Sequence, residues 1–193
     1  MAAARMTVGE RSGQAAGPVE LDWAEIDSPI GALLVVATPQ GVAHVAFREA
    51  DARPAHAVVL EAFGPYARTP NGKLDRAVLE LEDWFGGRRD ALECPVDWRL
   101  ARGEYRAEVQ RALTTIPRGE VRSYGELAED TGRPRAARAV GSACATNPVP
   151  LFAPCHRVVR ADGTIGPYGA RLGLARGQAV KRRLLRLEGV ELP

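Results

Sequence analysis

Three prolines within seven residues, in the stretch "NPVPLFAPCHRV" (147–158), set the tightest local limit on what this chain can form. Pro148, Pro150 and Pro154 each lack an amide donor and hold φ fixed. A helix arriving at Asn147 must therefore stop there, and the backbone ahead of Cys155 is irregular. Immediately beyond stand Cys155, His156 and Arg157. The whole chain has only three cysteines and three histidines, so the pairing raises a chemical question. A thiol becomes a nucleophile through its thiolate, which a neighbouring cation or imidazole can promote. In a regular strand, adjacent side chains point to opposite faces, so Cys155 and His156 can meet only where the chain bends. Taken alone, Pro-Cys-His-Arg fits a small buried cysteine beside an exposed histidine better than a catalytic pair.

The segments upstream give that stretch a setting. "EYRAEVQRALTTIP" (104–117) puts Val109, Leu113 and Ile116 on one helical face, and Pro117 stops it. Ser123 and Glu126 have the S-x-x-E form of a capping box, which predicts a short helix from Ser123 that Gly132 can close. Pro134 suits the first turn of a second helix, "PRAARAVGSACATN", rich in small residues. Helix, glycine-containing turn and arginine-bearing helix form a candidate helix-turn-helix. Cys144, among those small residues, reads as packing. "LFAPCHRVVRADGTIG" reads as strand, Asp162-Gly163 turn and strand. "GQAVKRRLLRLEGV" (177–190) is an amphipathic helix with Val180, Leu184 and Leu187 on one face. Glu188 sits at its C-terminal end, where the helix dipole disfavours a carboxylate.

The first half reads differently. Residues 21–49 alternate apolar runs with turns at Ser28-Pro29 and Pro39-Gln40-Gly41, the pattern of a strand meander. "KLDRAVLELEDWFGG" (73–87) spaces Leu74, Val78, Leu81 and Phe85 as a helix, and residues 88–103 read as a connector. His44, His56 and Cys94 are scattered and read as structural. Charge divides the same way. Residues 1–100 carry ten Lys+Arg against fifteen Asp+Glu, a net −5, and residues 101–193 carry sixteen against nine, a net +7. No acidic residue lies between Asp130 and Asp162, whereas five arginines do: Arg133, Arg135, Arg138, Arg157 and Arg160. An acid-free basic centre points to an anionic partner, with nucleic acid first. An odd cysteine count without a CxxC pair argues against a disulfide scaffold. Residues 1–17 lack the apolar core of a secretory signal, and no apolar run approaches a membrane span. The reading is a cytoplasmic, monomeric protein: a disordered tail over 1–18, an N-terminal α/β domain with connector over 19–100, and a mostly helical domain over 101–193.

In this order the pieces resemble the O6-alkylguanine-DNA alkyltransferases, the methylated-DNA–protein-cysteine methyltransferases. The resemblance lies in "IPRGEVRSYGELAEDTGRPRAARAVGSACATNPVPLFAPCHRVVRADGTIGPYG" (116–169) and "LLRLEG" (184–189), and more loosely in "IDSPIGALLVVAT" and "LEDWFGG". It implies an α+β fold, with a ribonuclease H-like first domain and a winged-helix-like second domain. It implies DNA repair by single-turnover transfer of an alkyl group from O6 of guanine, and from O4 of thymine, to Cys155 after base flipping in double-stranded DNA. His156 would be the base, Glu188 its orienting carboxylate, Asn147 the residue holding the turn, and Tyr124 the donor to guanine N3. Arg138 would be the finger that fills the gap in the stack. Arg135, Ala137, Ser123 and Arg157 would contact DNA, and Tyr168 would lie beside the alkylated base. No cofactor and no metal are implied.

Extruding the base costs a few kcal/mol, and a wedge side chain with backbone contacts offsets it. One departure stands out. The segment after Tyr168, "YGARLGLARGQAVKRR", is several residues longer than the family pattern, and Gly169-Ala170 replaces its Ser-Gly. The alternative is a damage-binding helix-turn-helix module without transferase activity, which in this family lacks the acceptor cysteine. A cysteine hydrolase would turn over repeatedly and would not need the basic helix.

Overall fold

The computed structural model describes residues 17–192, so most of the tail expected over 1–18 lies outside the described residues. The meander is present as β1 (Val19–Ile26), β2 (Leu33–Thr38) and β3 (Gly41–Phe47), each antiparallel to the next. Helix α1 (Ala55–Phe63) and strand β4 (Tyr66–Arg68) follow. Strand β4 runs parallel to β1, giving the order β3-β2-β1-β4. Every residue of β2 is buried because it has a helix on each side. Leu34 and Val36 meet Val58 and Val59 of α1. Leu33, Val35 and Ala37 face the opposite way, toward α2 (Gly72–Phe85). A two-residue side-chain period sorts one apolar strand into two layers.

Asn71 caps α2 by accepting from the Leu74 amide. The helix buries Leu74, Ala77, Leu81 and Trp84, with Val78 and Phe85 only partly covered. Its face is thus turned slightly from the one the spacing suggested. The connector carries a parallel bridge between Val42 and Val96 and a short 3-10 turn, Trp98–Leu100.

The second half holds α3 (Glu104–Ala112), α4 (Tyr124–Asp130), α5 (Ala137–Ala145) and α6 (Leu174–Leu187). The capping box at Ser123 and Glu126 is formed in both directions, and Gly132 takes φ +69° as the closing residue. Pro134 lies in a separate tight turn, closed by the Ala136 amide on the Arg133 carbonyl, and α5 begins only at Ala137. Proline preset the φ of that turn rather than of the helix.

The expected hairpin around Asp162-Gly163 is absent. The turn is there, with the Gly163 amide on the Arg160 carbonyl, but no second strand follows it. Instead, β6 (Val158–Val159) pairs in parallel with β5 (Arg122–Ser123). That ladder brings the residues after Cys155 beside those before Tyr124. Leu33, Trp84, Val109, Cys155 and Leu184 belong to one continuous core, so the two halves share a single apolar interior.

Candidate active site

Cys155, His156 and Arg157 form one turn of 3-10 helix rather than part of a strand. The turn closes through the Arg157 amide on the Pro154 carbonyl. This is a bend of the kind that a pairing of Cys155 with His156 requires, and Pro154 stands at its start. Ahead of it, the Ala153 amide donates to the Val149 carbonyl, and Leu151 takes φ +78°. Leu151 is the one non-glycine residue with positive φ among the described residues. Such a conformation costs about 1–3 kcal/mol and persists only where the surroundings enforce it. Asn147 is the enforcing side chain. Its Nδ2 donates to the Ala153 carbonyl at 2.7 Å and to Cys155 Sγ at 3.2 Å, while its Oδ1 accepts from the Val149 amide. On the other side, the Pro148 carbonyl accepts from the Val45 amide and lies 3.0 Å from His44 Nδ1. His44 thus ties the sheet to the proline turn.

His156 is fully buried, not exposed. Its ring lies edge-on between Trp84 and Tyr168, at centroid distances of 6.2 and 6.3 Å. His156 Nε2 sits 2.9 Å from Glu188 Oε1. Burial pushes the Glu188 carboxyl up, but hydrogen bonds and charge from His156 and Arg157 outweigh it and hold the group at about 2. An ionised carboxylate accepts only, so the imidazole proton is on Nε2 and Nδ1 is the basic nitrogen. Nδ1 is buried without a hydrogen-bond partner among the described residues. Burial lowers the His156 pKa, against the opposing pull of Glu188, so the ring is a neutral base at physiological pH.

Burial pushes the Cys155 thiol up, and the Asn147 hydrogen bond and the nearby Lys181 charge oppose it. The resting sulfur is therefore a neutral thiol that needs its base. Lys181 on α6 is fully buried, donates to the Val158 carbonyl and lies 5.9 Å from the Tyr124 ring centroid. It forms no salt bridge among the described residues. A buried ammonium without a carboxylate is costly, and burial lowers its pKa. Tyr124 is raised to about 12, first by burial and then by the nearby thiols. Its hydroxyl rests against Gly166, where a Cβ would lie 2.6 Å from the phenol oxygen.

A cavity of about 470 Å³ opens above the thiol, lined by Cys155, Asn147, Pro150, Tyr168, Phe47 and Leu172. That volume falls in the range of small-ligand pockets. Cys144 borders the same cavity, its thiol pushed up by burial. Among the described residues, no group of three metal-ligating side chains is arranged to hold an ion, and no helix is long and apolar enough to cross a membrane.

The profile of the 6-O-methylguanine DNA methyltransferase DNA-binding domain matches residues 104–190, and that of the same family's ribonuclease-like domain matches residues 21–98. The chain belongs to the 6-O-methylguanine DNA methyltransferase family. The methylated-DNA–protein-cysteine methyltransferase of Mycobacterium leprae is 37% identical over 147 residues, covering 76% of this chain and 83% of the relative. A crystal structure of the Mycobacterium tuberculosis O6-methylguanine methyltransferase superposes with a TM-score of 0.70 at 35% identity, covering 87% of this chain and 92% of the other. The Mycobacterium tuberculosis OGT in complex with DNA gives 0.69 at 36% identity, covering 88% and 92%.

Within this methyltransferase fold, Cys155, His156, Glu188, Asn147, Tyr124 and Tyr168 converge on one buried site. Ser123 caps α4, Arg135 lies in the turn between α4 and α5, and Ala137 and Arg138 open α5. Arg135 and Arg138 are exposed and form no salt bridge among the described residues, whereas Arg133 stacks 4.2 Å over Tyr105. Arg157 requires a correction. It does not face a DNA surface: its guanidinium is buried, donates to both Glu188 oxygens and reaches the Ile116 carbonyl. Its place is behind the histidine, where it balances the carboxylate that would otherwise be stranded at a helix end. The long segment after Tyr168 forms a 3-10 turn, Ala170–Leu172, and ties back to the first half through Arg171–Asp51 and Arg176–Glu49. Lys181 was not singled out by the sequence reading. The available signal was its register, one residue after Val180 and three before Leu184, on the helix's apolar face.

Proposed function

We propose that this protein repairs double-stranded DNA by moving an alkyl group from O6 of guanine, and from O4 of thymine, onto Cys155, once per molecule and as a monomer. The observation that carries this reading is a buried thiol bordering a cavity with room for an extruded base, backed by the His156–Glu188–Arg157 chain. Every group needed comes from one chain. O6 is paired inside the duplex, so the nucleotide is extruded before the sulfur reaches it. His156 Nδ1 takes the thiol proton, directly or through one water. The sulfur–carbon bond forms as the carbon–O6 bond breaks. The leaving guanine takes a hydrogen bond or proton at N3 from Tyr124, and the thiol hydrogen ends, in net, on guanine. A thioether is not a leaving group at neutral pH, so the acceptor is consumed.

Incubation with a duplex carrying O6-methylguanine, followed by peptide mass mapping, tests this. One methyl per chain on Cys155 is the expected result. Product released over many equivalents would make the protein a turnover enzyme, and an unmodified protein that still binds would make it a binding module.

Arg138, exposed on α5, serves as the wedge. Arg138→Ala is expected to slow repair of duplex DNA by about tenfold while leaving reaction with the free alkylated base within about twofold. Comparable losses on both substrates would remove the wedge role.

A further inference from the structure

The pair that orients His156 is not packed on all sides. A second cavity, of about 500 Å³, lies behind it, bordered by Trp84, Arg118, Phe152, Pro154, Arg157 and Glu188. The Glu188 carboxylate is tied to His156 and Arg157, and the backbone that carries it needs a separate hold. Its own helix ends one residue earlier, at Leu187, and Gly189 turns the chain away at φ +80°. The last carbonyls of a helix have no partner within it.

Arg118 supplies one. Its Nη2 donates to the Leu187 carbonyl at 2.7 Å, directly before Glu188. Its Nη1 donates to the carbonyls of Trp84, at 3.3 Å, and Arg89, at 3.1 Å, at and just beyond the end of α2. The guanidinium also lies 5.0 Å from the Trp84 ring centroid. One side chain therefore holds the C-terminal ends of two helices, one from each half of the molecule. A cation there also suits both helix dipoles. The neighbouring residues reinforce the grip: the Ile116 carbonyl receives Arg157, and Gly119 packs against the Glu188 carbonyl. Trp84, held from behind by Arg118, in turn borders His156.

We infer that Arg118 is a positioning residue for alkyl transfer, fixing Glu188 and Trp84 and through them the orientation and basicity of His156. The inference rests on Cys155 being the acceptor. It also gives the N-terminal half a part in the chemistry, because the strap begins on α2. If the strap is lost, Glu188 can move into the cavity behind it. His156 stays buried, with Arg157 and Lys181 still opposing its protonation and Glu188 favouring it less, so it is a weaker acceptor of the thiol proton and stays neutral to lower pH.

The test measures single-turnover methyl transfer against pH for wild type, Arg118→Met and Arg118→Lys, with duplex affinity measured separately. Arg118→Met is expected to slow transfer by about tenfold to a hundredfold, the scale of a small misplacement of a catalytic group. The acid limb of its pH–rate profile, where His156 becomes protonated, should move to lower pH, with duplex affinity within about twofold of wild type. Arg118→Lys keeps the charge but not the fork, and should fall between the two in rate and pH profile. A merely structural role would lower the reactive fraction equally at every pH. That outcome, or a rate for Arg118→Met within twofold of wild type, overturns the inference. If Arg118→Met does not fold, an Arg118→Lys protein with wild-type rate and profile overturns it. A wild-type protein that takes no methyl on Cys155 overturns the acceptor assignment, and this inference with it.

Discussion

Cys155→Ser is expected to take up no measurable methyl, a loss of more than about 10⁴-fold, while binding duplex DNA within about twofold of wild type. The substitution changes one atom in a buried turn and leaves the arginine-bearing helix untouched. What it removes is a proton that His156 can accept. Burial already raises the Cys155 thiol above its ordinary range and lowers the histidine, so the transfer is uphill even for sulfur. A serine hydroxyl is many orders of magnitude less acidic than a thiol and is a poorer nucleophile toward saturated carbon. Asn147 at 3.2 Å and the Lys181 charge can steady a thiolate, but they cannot close that gap. Mass mapping after single-turnover incubation, with a mobility-shift titration alongside, checks both halves of the expectation. Methyl appearing on Cys144, which borders the same cavity, would show that the cavity rather than the turn selects the acceptor.

Legibility in the sequence followed how local each determinant is. The Ser123 capping box, the Gly132 closure and the strand meander depend on neighbours a few residues apart, and the structure has them where the spacing put them. Pro134 misled because its fixed φ suits a tight turn as well as a helix start, and only the packing of α4 on α5 chooses between them. The opening stretch misled for a related reason. Val158 and Val159 are strand-forming, but their partner is Arg122-Ser123, more than thirty residues upstream, and no hairpin rule reaches that far. Glu188 was readable as an anomaly, a carboxylate at the wrong end of a helix, and the resemblance supplied a role. Arg157 resolves that anomaly, yet read from charge alone it was an arginine facing DNA. Burial decides which way an arginine points, and burial is a property of the whole fold. Lys181 and Arg118 were missed on the same ground: each is one more basic residue in a basic half until the helices around it are assembled.

Glu188→Gln has the largest expected effect on stability, and its sign follows from the same burial. The carboxamide fits the space but cannot balance Arg157, whose guanidinium makes three contacts to the carboxylate. Breaking a buried pair from one side strands the remaining charge and costs about 3–5 kcal/mol. The same quantity can be read from pH. The folded-state carboxyl is held at about 2 against an ordinary 4.5. A depressed acid contributes stability that is fully present above its unfolded value and is lost as pH falls through the folded one. A gap of that size corresponds to about 3 kcal/mol. The stability difference between wild type and Glu188→Gln should therefore be full at pH 7 and shrink between pH 4.5 and 2. Denaturant titrations at matched pH values measure it directly. Transfer should fall by about 10²-fold or more as well, because a neutral partner no longer supports the imidazolium formed when His156 takes the thiol proton. Equal stabilities at pH 7 would mean that Arg157 turns into the cavity behind it and finds water there. In that case the variant should keep its fold but lose transfer, and the pair would be shown to serve the chemistry rather than the core.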